Sequence, residues 1–233
     1  NYTLPSTMGA QSYQIIQANN DIIYVLNQNG VFGFDGYGWE QMPVMGQPMV
    51  MAYVDKLFIG GDRTLGYFKK NLQGINVYVP IEEKKTDFFY LFHHFNNTLY
   101  ATGGNGIYKV RRVDPYRVEE YYAEKDSSQI ITHMFNVGDK FFIIKNKSSL
   151  FQIHKQDLTP VVVNKEANEE FTFCFQHNDG QILGTSRNKI YFFDGQTLSP
   201  IAIKDQPYLN ASFLTNGISL NGKTVALSTL IGG

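Results

Sequence analysis

The chain has 233 residues, of which 43% are apolar, 15% aromatic and 18% charged, enough apolar mass to bury a core and too little charge for a disordered chain. Lys plus Arg total 20 against 21 Asp plus Glu, so the net charge of −1 excludes a strong field that would steer nucleic acid or an anionic membrane. The single Cys174 excludes an intrachain disulfide; its neighbours Phe171, Phe173 and Phe175 give it the role of a small buried hydrophobe.

No apolar run approaches the roughly 18 residues that a membrane span needs. The chain begins at Asn1 without Met or a basic leader, which is expected of a removed signal peptide or an excised segment. Helical periodicity is nearly absent, and short apolar or alternating runs recur between Asn, Asp and Gly instead. Turn pairs whose second members stand at 21, 55, 97, 139, 180 and 222 precede the strong strands, at intervals of 34, 42, 42, 41 and 42. A predicted strand follows each of them: 22–26, 56–59, 98–102, 140–144, 181–185 and 223–229. Next come strands over 30–35, 64–68, 106–110, 149–154 and 189–194, a second turn, and a closing strand at 39–44, 76–81, 116–122, 158–163 and 198–203. A further apolar stretch precedes each first turn, at 13–16, 49–53, 88–95, 130–135, 171–175 and 212–218.

Four strands per unit of roughly 42 residues is the pattern of a β-propeller blade. The expectation is an all-β propeller of four-stranded antiparallel blades over 11–44, 49–81, 88–122, 130–163 and 171–203, with a partial blade over 212–233. At that repeat length the chain makes about five and a half blades. It is expected to be a single, incomplete propeller domain, an open arc or one completed by another chain.

Ile22–Asn27 followed by Asn29–Gly36 and Trp39 resembles the first blade of the two-component regulator propellers, periplasmic sensor regions of Bacteroidetes-type signalling proteins. Leu57–Gly61 with Leu65–Phe68, Leu99–Thr102 with Asn105–Tyr108, and Ile182–Thr185 with Ile190–Gly195 carry the resemblance along the chain. Blade four departs from it, with Ile143-Ile144-Lys145-Asn146 in place of a Gly-Thr pair and Ser149 in place of Gly. The resemblance implies a periplasmic part of a membrane-anchored regulator, with a kinase or DNA-binding output that does not appear in these residues.

Chemistry-bearing motifs are few. His93 and His94 are neighbours on a strand and point to opposite faces, so one metal cannot take both. His177 precedes a turn and reads as solvated. Gly103-Gly104-Asn105-Gly106 joins two strands, whereas phosphate loops run into a helix; it reads as a turn that needs positive φ. The pairs Glu119-Glu120 and Glu169-Glu170 alternate faces and cannot converge across a cleft as a glycosidase pair must. No catalytic set, metal site or cofactor is expected.

Loops between the second and third strands of each blade share one rim. They place Asp62, Arg63, Asn105, Lys147, Arg187 and Asn188 there as candidate ligand contacts. The expected function is therefore a non-catalytic extracytoplasmic sensor that binds a small molecule or oligosaccharide at one propeller face. A homodimer is allowed, and neither nucleic acid nor membrane contact is expected of this segment. A propeller enzyme of polysaccharide lyase or glycosidase type, or a protein-interaction scaffold, stands as the alternative.

Overall fold

The structure is a computed structural model that describes residues 3–19, 21–81, 88–104, 106–111, 115–162 and 168–231. Two compact units divide the chain, Asn1–Ala123 and Glu124–Gly233.

The first unit holds three antiparallel four-stranded sheets, each a meander in chain order. Blade one is β1 (Ser12–Gln17), β2 (Ile23–Asn27), β3 (Gly30–Phe34) and β4 (Trp39–Met42). Blade two is β5 (Gln47–Tyr53), β6 (Leu57–Asp62), β7 (Thr64–Lys70) and β8 (Asn76–Pro80). Blade three is β9 (Phe89–Phe95), β10 (Thr98–Gly103), β11 (Gly106–Arg111) and β12 (Arg117–Ala123).

The second unit continues with β13 (Ile131–Val137), β14 (Lys140–Lys145), β15 (Ser149–His154) and β16 (Asp157–Pro160) as blade four. Blade five is β17 (Phe171–His177), β18 (Gly180–Thr185), β19 (Ile190–Phe193) and β20 (Leu198–Pro200). A helix, α1 (Gln206–Ser212), leads to β21 (Leu214–Asn221) and β22 (Thr224–Thr229), a two-stranded sheet. The four-stranded repeat and the partial sixth blade thus stand where the turn spacing places them. The helix is the departure: Asp205 caps it through Tyr208 N, Pro207 opens it, and seven residues are too few to register as a periodic pattern.

Tight turns are built from residues that tolerate the left-handed region. Asn96, Asn97, Asn178 and Asp21 serve the first hairpins at positive φ, and Arg63, Lys147 and Asn188 the second ones. Gly104 has φ +55, which agrees with the turn reading of its Gly-rich loop.

Within each unit, the core lies between the faces of successive blades. The second strand of each four-stranded blade is buried on both sides, so alternate residues serve different neighbours. In β18, Leu183 joins Phe135, Phe142, Phe171 and Phe193 between blades four and five. Ile182, one residue away, joins Phe173, Ile190, Leu209 and Leu214 towards β21 and α1. The first unit repeats this arrangement, with Ile59 in a cluster with Leu26, Met42 and Met51, and Phe58 in one with Phe89, Leu99 and Tyr108. Removing one such ring, as in Phe142→Ala, costs about 3–5 kcal/mol. Within blade two, the bulged pairing of β5 with β6 leaves no room for a side chain: a Cβ on Gly61 would lie 1.9 Å from the Gln47 carbonyl oxygen.

Candidate functional site

One end of each blade carries the hairpin between its second and third strands. In three blades, the last residue of the second strand fixes the segment that leads into the first strand. In blade one this residue is Asn27, fully buried, which accepts from Gly9 N at 2.9 Å and donates to Gly9 O at 2.8 Å and Ser12 Oγ at 3.1 Å. In blade four, Lys145 Nζ meets Glu124 Oε2 at 2.5 Å in a nearly buried ion pair, and Asn146 Oδ1 accepts from Ile130 N at 2.8 Å. In blade five, Thr185 Oγ1 donates to the buried Glu169 Oε1 at 2.6 Å, and the Tyr191 hydroxyl donates to Oε2 at 3.2 Å. In each of these blades the bonds fix the lead-in segment beside the hairpin.

Blade five adds a groove. Its connection to the next strand runs over residues 201–213 and includes α1, anchored in the core by Leu209. The space between this connection and the β18–β19 hairpin is about 690 Å³. Arg187 and Lys189 line it from the hairpin, Tyr191 and Ile201 from the blade edge, and Gln206 and Asn210 from the helix. Blade one has a smaller hollow of about 320 Å³ in the equivalent place, between Gln28–Gly30 and the connection that includes Pro43 and Gly46. The helix therefore enlarges a hollow that the repeat already provides. Its volume suits a ligand of one to a few rings.

Of the residues singled out in the sequence, Arg187 is exposed and lines this groove. Asn188 is buried: its Oδ1 accepts from Leu214 N at 2.8 Å and its carbonyl accepts from Gln206 Nε2 at 2.9 Å. It braces the groove wall and presents no free face. Lys147 is exposed, 3.8 Å from Glu170 Oε2, and the Glu170 backbone bonds Ser186, so the hairpins of blades four and five are adjacent. In the first unit, half-buried Asp62 and exposed Arg63 are neighbours in an ion pair of 3.8 Å, the kind of contact that contributes little to stability. Asn105 lies outside the described residues.

Sequence reasoning missed Lys189, Tyr191, Gln206 and Asn210. The available signal was the Asp205-Gln206-Pro207 helix start within a long connection between strands. Among the histidines, His94 is exposed while His93 is half-buried and stacked on Phe95, as alternation on a strand requires. His177 differs from its solvated reading, since its Nδ1 lies 2.9 Å from Ser219 Oγ on β21. His133 is enclosed by neighbouring strands, and that burial holds its imidazole below the ordinary range.

No family model matches the chain, and no curated protein matches it. Solved structures do. Virginiamycin B lyase from Staphylococcus aureus superposes with a TM-score of 0.70 at 13% identity, over 92% of this chain and 77% of that one. The extracellular domain of a one-component system from B. thetaiotaomicron gives a TM-score of 0.54 at 15% identity, over 98% of this chain and 38% of that one. YCF48 bound to D1 peptide gives a TM-score of 0.64 at 10% identity, over 89% of this chain and 72% of that one. At these identities the likeness establishes the fold, a β-propeller of four-stranded blades.

Proposed function

We propose that the chain is the ligand-binding part of an extracytoplasmic sensor, which takes a small oligosaccharide in the blade-five groove and passes the event to an output module. The observation that carries this reading is the groove itself. It arises where one blade departs from the repeat, and it joins an apolar floor to polar side chains from three separate elements.

The resemblance of the blade motifs to two-component regulator propellers supports the sensor role. So does the fold shared with the extracellular domain of a one-component system from B. thetaiotaomicron. The hydrogen-bonded loop ends suit a receptor, because a preformed site spends less of its binding energy on ordering. Lys147, on the adjacent blade-four hairpin, acts in this reading as a secondary polar contact.

A thermal-shift screen against a panel of plant cell-wall and host-glycan oligosaccharides tests the proposal. At least one is expected to raise the melting temperature of the chain, and Arg187→Ala to abolish that rise. Stabilisation unchanged by Arg187→Ala would move the site elsewhere, and no stabilisation across the panel would remove the oligosaccharide reading. Sugar turnover by the purified chain would place it among propeller lyases or glycosidases instead.

A further inference from the structure

We infer that the hollow of blade one is a second binding site, for a single neutral sugar ring, independent of the blade-five groove. Its lining is built from amides. Gln28 and Asn29 stand on the β2–β3 hairpin, Gln41 on β4 and Gln47 at the start of β5, and none of the described residues that line it is charged. Backbone carbonyls orient two of these amides. Asn29 Nδ2 donates to the Thr7 carbonyl at 2.9 Å, and Gln41 Nε2 donates to the Asn29 carbonyl at 3.3 Å. A carbonyl accepts only from the NH2 end, so each amide keeps its oxygen for another partner. Among the described residues nothing donates to Asn29 Oδ1 or Gln41 Oε1, and the exposed Gln47 amide is bonded at neither end.

The frame behind the amides is held on both sides. Buried Asn27 accepts from Asn29 N at 3.0 Å as well as from Gly9 N, which ties the hairpin to the lead-in segment. Across the hollow, Gly46 has φ +77, and a Cβ there would come 2.5 Å from the Asp62 carbonyl oxygen. The connection from β4 to β5 is thereby seated on the β6–β7 hairpin of blade two. A ligand meets walls already in place, so little ordering is left for binding to impose.

The lining selects the chemistry of its ligand. Two oriented oxygens call for donors, and a carboxylate or phosphate brings only acceptors and would meet no cation. A sugar hydroxyl brings a donor to each oxygen, while its own oxygen can accept from the Gln47 amide. Pro43 and Val44 give the carbon face of a ring an apolar surface. The volume of about 320 Å³ suits one ring. So few contacts give millimolar affinity, and the hollow fills only at concentrations well above those that saturate a larger groove.

Proton–nitrogen correlation spectra of the whole chain, titrated with D-glucose, D-galactose, D-glucuronate and triglycine, test this. A neutral hexose is expected to shift, saturably, the backbone signals of residues 28–30 and 41–47 and the side-chain amide signals of Asn29, Gln41 and Gln47. Glucuronate should bind about tenfold more weakly. Gln41→Ala should weaken the hexose about two- to tenfold, as loss of one hydrogen bond does, and Arg187→Ala should leave its affinity unchanged. Mapping on the unaltered chain needs no variant to fold. Absence of saturable shifts at these residues with either hexose overturns the site. Binding of glucuronate or triglycine as tight as that of the hexoses overturns the neutral-sugar assignment. Shifts confined to residues 186–191 and 200–210, or blade-one shifts lost in Arg187→Ala, overturn the second site and leave the blade-five reading standing.

Discussion

Burial pushes the Cys174 thiol up to about 12, and the side chain packs against the cluster between blades four and five. Its thiolate is therefore scarce at neutral pH, and the partly buried thiol reacts slowly with reagents. Iodoacetamide at pH 8 should leave the folded chain unmodified for hours and alkylate it fully in 6 M guanidinium; rapid labelling of the native chain would contradict this packing. His133 gives a stability prediction with a definite sign. Burial, the largest cause, lowers its pKa, assisted by Lys147 and opposed by a backbone bond with Thr172. The unfolded chain thus binds a proton more readily than the folded one between the lowered value and about 6.5. Unfolding free energy should be at its plateau above that pH and fall as the pH drops through the window. His133→Asn should flatten that slope when urea melts are compared from pH 5 to 8. Glu169 and Glu170 show the same dependence on position, since one is fully buried on Thr185 and Tyr191 and the other exposed beside Lys147. Their alternation was readable in the sequence, but the partners that hold Glu169 were not, because they stand on other strands.

Among the elements, the wall between blade five and β21 depends on Asn188, which combines a left-handed backbone of φ 57 with the bond to Leu214 N. Asn188→Gly keeps the conformation and loses the bond, at a cost of about 1–3 kcal/mol for a buried unsatisfied N–H. Asn188→Ala adds about 1–2 kcal/mol for a Cβ in the left-handed region. Urea unfolding should rank the unaltered chain above Gly and Gly above Ala; equal stability of all three would show that the wall does not rest on this residue. The strands of each blade were legible because period-two burial and turn residues with positive φ repeat at nearly constant spacing. Helix α1 left only its Asp205-Gln206-Pro207 start as a signal, since it is held by Leu209 in the core and by that cap, and seven residues show no periodic pattern. The strand expected over 198–203 ends at Pro200 for the same reason, because the chain turns away to form the connection while Ile201 N still bonds Ile190 O at 2.8 Å.

At the scale of the molecule, the roughly 42-residue spacing anticipated five four-stranded sheets and a two-stranded sixth. The candidate site was legible only as a set of hairpin tips. Arg187 was singled out because hairpin tips are visible in sequence, and Asn188 was placed with it although its side chain bonds the wall. Gln206 and Asn210 were missed because a groove joins residues that only the fold brings together, here a hairpin and a helix from the following connection. The central claim is that this groove receives the ligand. Hydrogen–deuterium exchange of the whole chain, with and without the panel oligosaccharide that gives the largest thermal shift, tests it most directly. Slowed exchange confined to residues 186–191 and 200–210 is the expected result. Protection centred on any other segment, or none at saturating sugar, would contradict it.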